Sequence, residues 1–178
     1  MKTRPQHLPL PALLLALALA LGICLAPAPA GALVATGINL PDISLPDLQG
    51  QKHSLKKLAQ DKVLLLVYWS VTCPHCRREL PRLVQLEKRL RGNPFRLLTV
   101  NRDGQAMAPA AQTLAQELEL PEPVLLDLGP DDSQPLGQFL DIVATPTVLV
   151  FDRQGVLVHT QEIKVDFTRL EQAIAAAF

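Results

Sequence analysis

A run of seven apolar residues, Val63–Trp69 (VLLLVYW), constrains the fold of this chain more than any other segment. The run is rich in branched and aromatic residues, is too short for a long helix, and is apolar on both faces. A strand of this kind is covered on both sides, as is the central strand of a sheet that lies between helices. The segment therefore predicts an α/β fold with this strand in the middle of a mixed sheet flanked by helices.

The rest of the chain alternates helical and strand patterns around this run. The predicted elements, in chain order, are an irregular segment or β-hairpin within 37–60, a helical turn at 54–59 capped by Ser54, helix 73–91, strand 95–101, helix 105–118, strand 124–127, a short helix at 134–141, strands 147–152 and 156–160 joined by a hairpin turn, and helix 166–176. We expect one compact domain over residues 38–178.

The first thirty residues have the composition of an export signal. Lys2 and Arg4 precede a Leu/Ala run over 8–25, and Ala28-Pro29-Ala30 is a plausible cleavage site. The apolar stretch continues to about residue 35, long enough to span a bilayer if it is retained. Residues 1–30 are therefore predicted to be a signal peptide or an N-terminal membrane anchor, and Cys24 within them an apolar filler.

Charge argues against a nucleic-acid partner. The chain has 17 basic and 17 acidic residues, and no basic cluster with interleaved aromatic residues occurs. We expect no nucleic acid to bind.

The chemistry is expected at Cys73 and Cys76, directly after the apolar strand. At a helix start, unpaired backbone N–H groups and the helix dipole favour the Cys73 thiolate, and Pro74 fits the first helical position. Cys76 lies one turn further along the same face. A disulfide across so short a loop constrains the unfolded chain little, so the pair is suited to opening and closing. Cys73 is predicted to attack and Cys76 to resolve.

Positive charge surrounds the pair. His75, if protonated, would stabilise the thiolate further, and Arg77 and Arg78 add charge to the same turn. A zinc site would need a second ligand pair, and haem attachment would need histidine where Arg77 stands. We expect no metal and no cofactor, and we interpret His53 and His159 as surface residues.

The segment Val63–Pro81 resembles the active-site region of the thioredoxin superfamily, most closely the TlpA/ResA-like branch of membrane-associated bacterial thioredoxins. Trp69 matches the aromatic of the W-x-x-x-C pattern, and Pro81 the proline of the active-site helix. Ala144–Thr147 resembles the cis-proline loop, and residues 39–50 the N-terminal hairpin. The resemblance implies a thioredoxin-like fold with that hairpin and a central helix–strand insert.

The same resemblance implies roles for individual residues. The substrate-binding residues would be Trp69, Pro74, His75, Thr145 and Pro146. Glu79 matches an acidic residue that is associated with proton handling in ResA-like proteins, although the position also suits a solvated helix glutamate. Val67 stands where thioredoxin has a buried aspartate, so Glu79 or water would have to serve Cys76.

The expected function is thiol–disulfide exchange with cysteine-containing exported proteins, in the periplasm or tethered to the inner membrane. The resemblance favours a reductase, acting on apocytochrome c or another client and supplied by a membrane thiol donor. The Pro74-His75 dipeptide resembles that of DsbA-type oxidases, and this resemblance implies the alternative of a DsbA-like disulfide-forming oxidase. A copper metallochaperone using both thiolates with His75 or His159 is a further alternative. A thiol peroxidase is favoured less, because no peroxidase-type Pro and Thr pattern precedes Cys73.

Overall fold

The computed structural model describes residues 34–178, and the predicted signal or anchor segment, residues 1–30, lies outside them. The strands are β1 (Ser44–Pro46), β2 (Lys52–Ser54), β3 (Val63–Trp69), β4 (Phe95–Asn101), β5 (Val124–Leu126), β6 (Thr147–Phe151) and β7 (Leu157–Glu162). The α-helices are α1 (Leu55–Ala59), α2 (Pro74–Leu90), α3 (Ala108–Glu117), α4 (Pro135–Phe139) and α5 (Phe167–Ala176). Within the described residues, none of the helices has both the length and the apolar character that crossing a bilayer requires.

The main sheet is mixed and five-stranded, in the order β5-β4-β3-β6-β7. Strands β3, β4 and β5 run parallel, whereas β6 and β7 are antiparallel to their neighbours. All seven residues of β3 are buried, which confirms the central position predicted from their apolar character. In register, Val67 pairs with Thr99 of β4 and with Val148 of β6.

Alternate residues of β3 divide the core into two layers. Val67 and Trp69 face one layer, which is completed by the apolar sides of α2, α3 and α5. Leu66 and Tyr68 face the other, which is completed by residues of the β1–β2 hairpin, α1 and α4. Each fully buried aliphatic side chain in these layers stabilises the fold by about 1.5–3 kcal/mol. Helices therefore cover both faces of the sheet.

The N-terminal hairpin is present, with β1 and β2 antiparallel, and Ser54 caps α1 by accepting a hydrogen bond from the Lys57 amide. The helix predicted over 105–118 differs: a 3₁₀ turn covers Gln105–Met107, and the α-helix begins at Ala108. Pro109 lies in the first turn of that helix, where its missing N–H costs nothing, so the regular helix begins there.

Two smaller predictions also need correction. The strand predicted to end at Asp127 ends at Leu126, because Leu126 pairs with Asn101, the last residue of β4. The Asp127 carboxylate instead accepts hydrogen bonds from the first amides of α4. His53 and His159 are half-buried rather than simple surface residues. His53 lies 2.7 Å from the Asp47 carboxylate, and desolvation together with Arg169 lowers the pKa of His159.

Candidate active site

The two cysteines lie where β3 gives way to α2. Cys73 is the N-cap of α2, Pro74 occupies its first position, and the Cys76 amide donates to Cys73 Sγ at 3.0 Å. The two residues form a disulfide with their Cα atoms 5.3 Å apart. Cys73 is 9% exposed and Cys76 is fully buried. Only the first sulfur can therefore meet a partner from solution, and the helix N-terminus favours its thiolate.

The loop before β6 forms a wall beside Cys73. The Thr145–Pro146 peptide bond is cis, as the resemblance implied. The Thr145 carbonyl oxygen lies 3.3 Å from Cys73 Sγ, and Thr147 Oγ1 donates to the Ala144 carbonyl at 2.8 Å. Thr145 is partly exposed, whereas Pro146 is buried and its carbonyl accepts a hydrogen bond from the Ile163 amide. The loop thus offers backbone groups of Thr145 next to the reachable sulfur.

Glu79 is a buried carboxylate on the active-site helix. It lies three residues after Cys76, so both face the same side of α2, and it is only 7% exposed. Arg82 Nη1 donates to it at 3.4 Å, and the Arg82 guanidinium lies 3.8 Å from the ring centre of Phe167 on α5. Glu79 is therefore not a solvated surface glutamate.

His75 is held by a neighbouring arginine. Arg78 Nη2 lies 2.6 Å from His75 Nδ1, and a guanidinium can only donate, so this ring nitrogen accepts. The guanidinium groups of Arg78 and of the adjacent Arg77 supply positive charge in this turn. Among residues 34–178, no three His, Cys, Asp or Glu side chains gather as a metal-ligand set.

Beneath α2, the described core layer is mostly apolar and includes two buried polar atoms without a partner. Val67, at the position of the thioredoxin aspartate, is fully buried, and so is Trp69. Trp69 Nε1 and Thr99 Oγ1 have no hydrogen-bond partner among the described residues. Trp69 can shape the site from below, and direct contact between its ring and a client stays a prediction.

Sequence reasoning missed Asp103, which binds the loop before Cys73. Its carboxylate accepts hydrogen bonds from the Ser70 hydroxyl and the Val71 amide at 2.6 and 2.7 Å. The available signal was positional: β3 and β4 are adjacent and parallel, so polar residues that follow them meet at one edge of the sheet.

Comparison with known proteins gives consistent matches. The model described as the AhpC/TSA family matches residues 36–160. The thioredoxin-like protein YneN of Bacillus subtilis is 27% identical over 70% of this chain and 69% of its own length. The thiol–disulfide oxidoreductase ResA of Bacillus thuringiensis is 25% identical over 75% of this chain and 72% of its own.

Solved structures of similar proteins share the fold. The thioredoxin domain of a thiol–disulfide oxidoreductase from Bacteroides vulgatus is 25% identical and superposes with a TM-score of 0.68, covering 79% of this chain and 98% of that one. A thioredoxin family thiol:disulfide interchange protein from Chlorobium tepidum is 19% identical, with a TM-score of 0.63, over 80% of this chain and 97% of that one.

Proposed function

This chain belongs to the AhpC/TSA family and is a thiol–disulfide oxidoreductase, and we propose that it works outside the cytoplasm as a reductase of exported proteins. The predicted thioredoxin-like fold and the resemblance to TlpA/ResA-like proteins are confirmed by the same matches and by the mixed sheet. The location and the direction of electron flow are the proposal.

One observation supports the roles of the two cysteines. Cys73 is the reachable sulfur at the start of α2, whereas Cys76 is buried one turn along. A bulky protein disulfide can be approached by Cys73 alone. We therefore assign Cys73 as the attacking residue and Cys76 as the resolving residue.

The reaction transfers two electrons in two exchange steps. The Cys73 thiolate attacks a client disulfide; a Cys73–client disulfide forms, the client disulfide breaks, and the freed client sulfur takes up a proton. Cys76 then loses its proton and attacks Cys73 Sγ, which forms the Cys73–Cys76 disulfide and releases the second client sulfur. A membrane thiol donor returns the pair to the dithiol.

The neighbouring residues have distinct proposed tasks. Glu79 accepts the Cys76 proton, since it lies on the same side of α2 and Val67 leaves the layer below without an acid. Thr145 and Pro146 receive the client backbone beside Cys73, and Pro74 and His75 border the approach. Trp69 supports this surface from the core.

The proposed clients are exported proteins with cysteines, such as apocytochrome c. The support is the composition of residues 1–30, which suits a signal peptide or a membrane anchor, together with the resemblance to membrane-associated thioredoxins. Tethering to the inner membrane would bring the pair close to its thiol donor.

Trapping tests the site and the clients together. Cys76→Ser should accumulate mixed disulfides between Cys73 and exported proteins, because the resolving thiol is gone. Cys73→Ser, the matched control, should form none. Non-reducing electrophoresis of cell extracts measures both, and the absence of trapped species in Cys76→Ser would contradict the assigned roles.

The equilibrium reduction potential of the Cys73–Cys76 pair tests the direction. We expect a value near that of thioredoxin, about −270 mV. A value near that of DsbA, about −120 mV, would overturn the reductase and favour the oxidase that the Pro-His dipeptide suggests. Stoichiometric copper held tightly by the reduced protein would instead favour a metallochaperone.

A further inference from the structure

A single carboxylate joins the loops that follow β3 and β4. Asp103 Oδ1 accepts from Ser70 Oγ at 2.6 Å, and Oδ2 accepts from the Val71 amide at 2.7 Å and from Asn101 Nδ2 at 2.9 Å. We call these four residues the Asp103 clamp. Hydrogen bonds to a charged acceptor are the strong ones, so the clamp holds the first loop firmly.

The clamp continues into the turn that delivers Cys73. Ser70 Oγ donates to Asp103 and accepts from the Thr72 amide at 3.2 Å, while Thr72 Oγ1 lies 3.1 Å from it. The Cys73 amide donates to the Ser70 carbonyl at 3.3 Å. The position of Asp103 therefore fixes the orientation of the Ser70 hydroxyl and, through it, the start of α2.

On its other side the clamp rests on the rigid sheet. Asn101 is fully buried at the end of β4 and pairs in register with Trp69. Its side-chain oxygen accepts from the Asp103 amide at 2.9 Å, and the Arg102 amide donates to the Trp69 carbonyl at 3.0 Å. Asp103 is thus oriented by the sheet rather than by a free loop.

The Asp103 charge lies close to the reactive sulfur. Asp103 Oδ2 lies 2.7 Å from the Val71 amide nitrogen, and Val71 is two residues from Cys73, so their Cα atoms are at most about 7 Å apart. The carboxylate is therefore separated from Cys73 by a distance on the order of one Debye length at physiological salt. Arg102, which precedes Asp103 in the sequence, contacts other groups. Its guanidinium donates to Gln134 at 3.4 Å and lies 5.9 Å from the Tyr68 ring centre. A negative charge at this distance disfavours the Cys73 thiolate.

We propose that Asp103 is a positioning residue that holds the turn before Cys73 and makes the cysteine pair more reducing. This inference rests on the proposed function. A stabilised thiolate favours the dithiol form and so raises the reduction potential of the pair. A fixed carboxylate that disfavours the thiolate therefore lowers that potential. The clamp supplies geometry and charge through one side chain, and the two effects can be separated by mutation.

Asp103→Asn tests the charge. It keeps the size of the side chain and should stabilise the reduced form, shifting the dithiol–disulfide equilibrium about tenfold, or about 30 mV towards a more oxidising potential. Asp103→Glu should return the potential towards that of the wild type. The matched control is Asp152→Asn, since Asp152 accepts from the Gln154 and Val156 amides in the turn after β6, at the opposite end of the sheet.

Ser70→Ala tests the geometry. It removes one hydrogen bond of the clamp and keeps the charge, so the potential should change little while mixed-disulfide formation slows several-fold.

Unchanged potential in Asp103→Asn, or a shift equal to that in Asp152→Asn, would overturn the charge effect. An unchanged rate of mixed-disulfide formation in Ser70→Ala would overturn the positioning role. The Ser70→Ala variant tests this role even if Asp103→Asn does not fold. A wild-type protein that is oxidising and traps no client would reject the proposed function instead.

Discussion

At the scale of single residues, buried hydroxyls divide into paired and unpaired ones. Thr99 Oγ1 on β4 and Thr160 Oγ1 on β7 are buried without a hydrogen-bond partner among the described residues. Thr147, also fully buried, donates to the Ala144 carbonyl at 2.8 Å. Leaving a buried polar group unpaired costs about 1–3 kcal/mol, so replacing these side chains should have opposite effects.

Thr99→Val and Thr160→Val should leave the free energy of unfolding unchanged or raise it by about 1 kcal/mol, because each removes an unpaired hydroxyl. Thr147→Val should lower it by about 1 kcal/mol, because the Ala144 carbonyl loses its donor. Urea unfolding of the three variants measures the differences. Equal destabilisation by Thr99→Val and Thr147→Val would mean that Thr99 is hydrogen-bonded in solution.

At the scale of elements, the β1–β2 hairpin is organised by one carboxylate. Asp47 Oδ1 accepts from the Gln49 and Gln51 amides at 2.9 and 2.8 Å, and Oδ2 lies 2.7 Å from His53 Nε2. Asp47 also bridges to Leu125 of β5. Burial acts to raise the pKa of Asp47, but hydrogen bonds from His53, Gln51 and Gln49 outweigh it and hold the pKa below its usual value.

The lowered pKa of Asp47 makes hairpin stability depend on acid. Its contribution is fully present above the ordinary pKa of 3.8 and is lost as the pH falls through the lower folded-state pKa. Asp47→Asn should lower the free energy of unfolding at pH 7 by about 2 kcal/mol. In this variant the free energy of unfolding should also decrease less steeply as the pH is lowered. Denaturant unfolding across pH checks this, with the exposed Asp42→Asn as control. If the free energy of unfolding of Asp47→Asn falls as steeply in acid as that of the wild type, other groups cause the acid dependence.

At the scale of the whole molecule, the sequence predicts what local patterns encode. Val63–Trp69 and Phe95–Asn101 have the predicted bounds. The first is an uninterrupted apolar run, and the second begins directly after the turn residues Gly92-Asn93-Pro94. The start of α2 was also predicted, because Cys73 and Pro74 satisfy the first turn through local contacts. Fold class and the two cysteines follow from such patterns.

Contacts between distant segments escape this reasoning. Asp103 accepts a hydrogen bond from Ser70, which is 33 residues away in the sequence, and no periodic pattern around either residue predicts this contact. Glu79 is buried and contacts Arg82, which lies over the Phe167 ring of α5, and helical spacing within α2 does not reveal that environment. The Thr145 wall was anticipated only through the family resemblance. Such features depend on tertiary packing, which decides the environment of each side chain.

The distance in sequence between Cys73 and the Thr145 wall has a consequence for biosynthesis. The chain is made from its N-terminus, so Cys73 leaves the ribosome 72 residues before Thr145, whose carbonyl flanks it. A nascent chain that stops before Thr145 has both thiols but neither β6 nor the wall. The surface that we propose to receive a client is therefore completed late in translation, and until then no Thr145 carbonyl flanks Cys73.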